Sequence, residues 1–322
     1  MPFASFHTAF RSMRFVCAFA LLVNVVSAPV SRGFDIIFNY DFDTNNFFGT
    51  AGSAQRTALE QAGAFYESII GDDLDAIDPT QDTSTWQAIF KDPTATTNDV
   101  SVTDLVVPAD TIFIYVGSED RGAGNLGLGA PGGFSATPGS QAFYDALTTR
   151  GESGITFGTP GDDTDFAPWG GMMSFNEHSS VNWTYDTGSE PGPGEVDFYS
   201  VALHEIAHVL GFGTAESFER LVSGSDFIGA NAQAENGDNP VPLVAENHVD
   251  PSVMSTVFGT ATSQQSLMVA DLTDGTRNLL TDLDAAMLED TGWEVIPEPG
   301  SAMLLLGGLS MLLFRRGRRQ VA

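Results

Sequence analysis

The chain has 322 residues, with 42 acidic residues against 13 Lys+Arg. Six of the basic residues lie in 1–28 and 300–322, where there is no acid, so seven face 42 acids in between, a formal charge of −35. A surface this negative excludes nucleic-acid binding, which needs a positive face, and suits a soluble exported protein that meets hard cations.

The first segment carries Arg11 and Arg14, then the apolar run FVCAFALLVNVV, then Ser27-Ala28. A charged start, a short apolar run and small residues at Val26 and Ala28 predict a cleaved signal peptide over 1–28. The run is short for a membrane span of about 20 residues. The only cysteine, Cys17, falls inside it. The exported chain is therefore expected to fold without disulfides.

FDIIFNYDF at 34–42 predicts a first strand. In AQRTALEQAGAFYESII at 54–70, Leu59, Ala62, Phe65, Tyr66, Ile69 and Ile70 recur at steps of three and four, which predicts a helix. VSVTDLVV at 100–107 and TIFIYVG at 111–117 read as strands, and the order strand, helix, strand, strand predicts an α/β sheet. The glycine-rich stretch at 123–132 reads as an irregular edge strand on the rim of a cleft or as a plain loop. A short helix is expected at 140–150, a strand at 172–176 and a loop at 187–197. Residues 222–247 are polar and turn-rich. A last helix is expected at 282–290, with Thr281 as N-cap and Gly292 as stop.

The chain ends VIPEPGSAMLLLGGLSMLLFRRGRR before Gln320. A Pro-Glu-Pro triplet at 297–299, an apolar run and an arginine cluster follow one another, and together they resemble a PEP-CTERM sorting signal. That resemblance implies export machinery and an exosortase as partners. It also implies a transient inner-membrane anchor, then a place at the cell surface or in the extracellular matrix of a Gram-negative bacterium. An ordinary C-terminal anchor remains open. In either case the basic end is expected to stay cytoplasmic until processing.

Residues 204–208 read HEIAH. Residues four apart share one helix face, so His204 and His208 can address one metal ion. Glu205 lies about 100° round the helix, close enough to act on water without being a ligand. Two imidazoles on Zn2+ with glutamate as general base is a metallopeptidase pattern, and catalytic zinc keeps three protein ligands with one open position. Val201, Ala202, Leu203, Ile206, Ala207, Val209 and Leu210 make this helix apolar nearly all round, hence buried. Gly211 is placed to end it. His248, Glu235, Glu246 and His178 are the candidates for a third ligand, since Thr214 is a poor one.

HEIAHVLG resembles the metzincin clan of zinc peptidases, whose commonest third ligand would fall at Thr214. NHVDPSVMS at 247–255 resembles the leishmanolysin-like variant, in which an insertion precedes the third histidine. The resemblance implies His204, His208 and His248 as ligands of one catalytic Zn2+, Glu205 as catalytic base, Met254 beneath the metal and an insertion at about 212–247. It implies a metzincin-like α/β (α+β) domain over 29–296: a twisted mixed sheet, a buried active-site helix and a C-terminal helical subdomain. The segment 297–322 would be the sorting tail with a short transmembrane stretch. The implied activity is zinc-dependent endopeptidase action on protein or peptide substrates. The alternative is a non-catalytic zinc-containing surface or matrix protein. GDDTDF at 161–166 clusters carboxylates as calcium loops do but lacks EF-hand spacing, which leaves Ca2+ and a solvated acidic loop both open.

Overall fold

The computed structural model describes residues 33–159, 161–244 and 247–296. The expected signal peptide and sorting tail lie outside them, as does Glu246. Among the described residues no helix is long and apolar enough to cross a membrane.

The chain runs β1 (Asp35–Asn39), α1 (Ala54–Ile69), β2 (Thr85–Asp92), β3 (Ala95–Thr103), β4 (Thr111–Glu119), β5 (Gly127–Pro131), β6 (Gly133–Thr137), α2 (Gln141–Thr148) and β7 (Gly170–Asn176). The short strands β8 (Trp183–Thr184) and β9 (Val196–Asp197) precede α3 (Phe198–Val209) and α4 (Glu216–Glu219). Then come β10 (Val222–Ser223), β11 (Asp226–Phe227), α5 (Ala230–Glu235), β12 (Val241–Val244) and β13 (His248–Val249). The hairpin β14 (Met254–Thr256) and β15 (Ser263–Gln265) leads to α6 (Asp282–Thr291). The result is a mixed α+β fold, as expected.

The central sheet has the order β1-β4-β7-β5. The first three strands are parallel and β5 runs antiparallel along β7 as one edge. A second, antiparallel sheet, β3-β2-β6, encloses its own core around Trp86, Tyr115 and Trp169. Thr281 caps α6 as expected, in a reciprocal capping box with Asp284, and Ser53 and Ser140 cap α1 and α2.

Two expectations need correction. The single strand expected over 100–107 ends at Thr103, because Asp104 turns the chain at φ 51, and Val107 forms only an isolated bridge to Ile77. The polar segment 222–247 is not plain loop. It holds β10, β11, α5 and β12, and its sheet order β10-β11-β12-β13 ends on the strand that carries His248. The expected helical C-terminal part therefore also contains short antiparallel strands.

Helix α3 is the buried centre of the domain. Ten of its twelve residues are buried, from Phe198 to Val209, with Tyr199 and His204 partly exposed. Asp197 caps it, accepting from the Ser200 amide at 3.2 Å, and forms a two-pronged pair with Arg277 at 2.9 and 2.8 Å. On one side the Tyr66 hydroxyl of α1 donates to the Leu203 carbonyl at 2.9 Å. On another, β5 lies so close that only glycine fits. A Cβ at Gly129 would stand 2.1 Å from the Glu205 carbonyl oxygen, and one at Gly127 would stand 2.5 Å from the Glu205 side chain. This accounts for the glycine-rich composition of the edge strand.

Because Gly129 abuts rigid backbone, Gly129→Ala should destabilise the fold by about 1–3 kcal/mol through overpacking. For a domain of this size that lowers the melting midpoint by roughly 2–4 °C per kcal/mol. Gly133→Ala, with nothing within 4 Å of the new Cβ, should leave the midpoint unchanged. Thermal denaturation of the two variants checks this.

Candidate metal centre

His204 and His208 lie one helical turn apart on α3, so both rings leave the same face. The helix closes as expected. Gly211 takes φ 97, its amide donates to the His208 carbonyl at 3.1 Å, and the Phe212 amide donates to Ala207 at 2.9 Å. Thr214 stays out of the group. Its hydroxyl donates to the His208 carbonyl at 2.8 Å and so caps the helix end. After the insertion, Asn247 at φ 59 donates its side-chain amide to the Gly213 carbonyl at 3.3 Å. That bond ties the start of β13 to the glycine turn and brings His248 to the helix.

The three Nε2 atoms converge. His204 to His208 is 3.0 Å, and each lies 3.2 Å from His248. The His204 and His248 rings are near parallel at 16°, while His208 stands at 77° and 78° to them. The other nitrogens settle what this means. His204 Nδ1 faces the Leu267 carbonyl at 3.0 Å, and His208 Nδ1 faces the Phe212 carbonyl at 2.8 Å. A carbonyl oxygen only accepts, so both Nδ1 atoms carry the proton and both Nε2 atoms present lone pairs.

Two lone pairs facing each other at 3.0 Å need a positive charge between them. Burial disfavours supplying it as a proton. It pushes the His204 pKa well below its usual value, and it pushes His208 down to about 4, with the neighbouring His248 adding to both shifts. The donor set therefore fits a metal ion. Among the described residues these three histidines form the only group of three or more His, Cys, Asp or Glu side chains within ligand distance of one another.

Glu205 lies beside this group and is 6 % exposed. Burial pushes its carboxyl up to about 8, against the opposing pull of the Gly129 amide and the Arg121 charge. It faces a cleft of about 580 Å³ that also exposes all three histidines. Leu126 to Gly129 form one wall of the cleft and Val269 to Leu272 another. The glycine-rich stretch thus does line the cleft, as an edge strand.

Other candidates fall elsewhere. His178 pairs its Nδ1 with the Ser180 hydroxyl at 2.7 Å, and Glu235 closes α5. Neither joins the group. Met254 does not lie beneath the site, because it is 56 % exposed. It alternates on β14 with Ser255, whose hydroxyl accepts from the Leu283 amide at 3.2 Å and so points inward. The buried methionine of this region is Met268, at 0 % exposure, next to the Leu267 carbonyl that orients His204. Its signal in the sequence was the apolar run Leu267-Met268-Val269. In GDDTDF, Asp163 is engaged by Thr156, whose amide and hydroxyl donate to it at 2.6 and 2.8 Å.

The chain matches no family model, no curated protein and no solved structure. The case for a metal centre rests on its geometry.

Adding a divalent first-row metal to chelator-treated protein should raise the melting midpoint. A ligand held only by the folded state stabilises it by about 2.7 kcal/mol at a hundredfold excess over Kd. His248→Ala should lose most of the shift and His178→Ala should keep it. A full shift in His248→Ala would remove His248 from the site.

Proposed function

We propose that the protein is a zinc-dependent endopeptidase of metzincin type, with the spacing of the leishmanolysin-like variant. The observation that carries the reading is the convergence of three Nε2 atoms beside a buried glutamate in an open cleft. His204, His208 and His248 would hold the ion. A nitrogen triangle 3.0–3.2 Å on edge suits zinc, which takes imidazole at about 2.0–2.1 Å and is four-coordinate. Bound there, zinc would polarise a peptide carbonyl and lower the pKa of water from about 15.7 towards 7.

The chain's own groups supply the rest. Glu205 is aimed at the cleft, and its carboxylate would take a proton from the attacking water and return it to the leaving amine. The outer edge of β5 borders the cleft and, among the described residues, has no strand beside it in its sheet. An extended peptide would pair with that edge through main-chain bonds. The glycines that let β5 approach α3 also bring that edge close to Glu205. A purely structural site would have no use for a carboxylate buried at the cost of desolvation, which weighs against the non-catalytic alternative. The terminal segments support export, exosortase processing and a final place at the surface or in the matrix.

Glu205→Gln should keep zinc at wild-type stoichiometry while hydrolysis of an unfolded protein substrate falls by about 10²–10⁴-fold. Metal analysis and cleavage are measured on the same preparation. Undiminished cleavage sinks the role of Glu205. Chelator-insensitive cleavage, or none from zinc-loaded wild type, sinks the peptidase.

A further inference from the structure

The described residues contain a buried carboxylate that the proposed chemistry does not use. Asp284, in the first turn of α6, is 0 % exposed and has no ion-pair partner among the described residues. Its Oδ2 accepts from the Leu267 amide at 2.8 Å, the Thr281 amide at 2.9 Å and the Thr281 hydroxyl at 2.6 Å. Its Oδ1 accepts from the Ser266 hydroxyl. Burial pushes its carboxyl up, and the four bonds from Ser266, Leu267 and Thr281 oppose that by favouring the charged form. The Thr281 bonds are the helix cap. The bonds to Ser266 and Leu267 are not needed for a cap. They reach 17 and 18 residues back along the chain, into the segment against the metal centre.

From Ser266 a single line of donors leads to His204. The imidazole Nδ1–H donates to the Leu267 carbonyl at 3.0 Å. The same peptide unit donates its Met268 N–H to the Ser266 hydroxyl oxygen at 3.0 Å. The Ser266 hydroxyl donates to Asp284. Every bond points the same way, so each polarises the next towards the carboxylate. The far side of this segment meets the third ligand's strand, where the Val249 amide donates to the Met268 carbonyl at 2.8 Å. All these groups are dry: Ser266 and Met268 are 0 % exposed and Leu267 is 2 %.

We infer that Asp284 is a positioning residue of the metal centre, acting through the Ser266 hydroxyl and the 267–268 peptide on the orientation and donor strength of His204. The inference rests on the metal-site reading above. Metal-bound histidines commonly donate their second nitrogen to a carboxylate or carbonyl, and loss of such a partner costs about 10–100-fold in metal affinity. Here a carbonyl makes the contact, and a carboxylate two hydrogen bonds further on polarises it. Asp284 also fixes the segment that Val249 leans on, so it braces both elements that carry the histidines, α3 and β13.

The test uses the full chain and measures metal binding without any substrate. Zn2+ affinity is read by competition with a chromophoric chelator, and the site is also filled with Co2+ for its visible spectrum. Asp284→Asn keeps shape but sets an NH2 against Ser266 and reverses that bond. It should weaken zinc by about 10–100-fold and alter the Co2+ band. Ser266→Ala cuts the line without touching the helix cap and should do the same. Thr281→Val removes the cap while leaving Ser266 and Leu267 bonded. It should lower the melting midpoint yet hold zinc within about threefold of wild type, since helix capping is a local stability effect. Wild-type affinity and spectrum in both Asp284→Asn and Ser266→Ala overturn the inference, as does an equal loss in Thr281→Val. Zinc-binding wild type that cleaves nothing overturns the peptidase and leaves this inference standing. Wild type that binds no metal overturns both.

Discussion

The structure turns on two imidazoles that must stay neutral and aim their bare nitrogens at one point in a dry interior. The Leu267 and Phe212 carbonyls impose this by taking the Nδ1 protons of His204 and His208. Once those bonds exist, the Nε2 lone pairs repel unless a cation separates them. The surrounding elements serve that arrangement. Helix α3 sets the spacing of two rings, Gly211 ends the helix so that Phe212 can turn its carbonyl back, and the 266–269 segment supplies the other acceptor. The same segment receives the strand of the third ring through the Val249 amide.

The packing that holds this centre also shapes what can reach it. α3 is covered by α1 and by β5, and His204, Glu205 and His208 open towards the cleft. A side chain at 129 would push β5 off the helix, and one at 127 would displace the Glu205 side chain. Glycine at 129 lets backbone meet backbone, at some cost in chain entropy. That cost is offset by burial of the apolar side chains of α3, Phe198, Val201, Leu203, Ile206 and Val209, in the main core. A rigid wall beside Glu205 results, and among the described residues the outer edge of that wall has no strand beside it.

The sequence made the local parts of this legible and hid the distant ones. His204, Glu205 and His208 follow from spacing along one helix, and their burial follows from its apolar surroundings. The caps at Ser53, Ser140 and Thr281 were legible in kind, since each is a hydroxyl before an apolar-periodic run. Strand β2 shows the same local signal, with Trp86, Ala88 and Phe90 alternating inward. Gly127 and Gly129 announced close approach without saying to what. The strands β10 and β11 are two residues each, too short to show a period, and exist only because β10 pairs with β11 and β11 with β12. Met254 stood out because it follows His248 closely in sequence. Met268 is the buried one because the intervening hairpin returns the chain to the helix, which is a tertiary fact.

The insertion is therefore part of how the centre is made. A third ligand at position 214 would have been fixed by the helix end itself. His248 lies 40 residues beyond His208. Closing a loop costs only about 0.6 kcal/mol more for each doubling of its length, so the longer route costs roughly 1.5–2 kcal/mol more than the short one. Residues 222–244 offset this by folding on themselves. β11 pairs β12, β12 pairs β13, and Val244 stands opposite His248. The register of that small sheet sets which face His248 presents, since a one-residue slip would turn its ring away. Thr214, freed from any ligand role, caps the helix instead. A site built this way has two histidines preset by one helix and a third delivered by a separate sheet. Convergence of the three rings is then coupled to the docking of that sheet against the Gly213 turn and the Met268 segment.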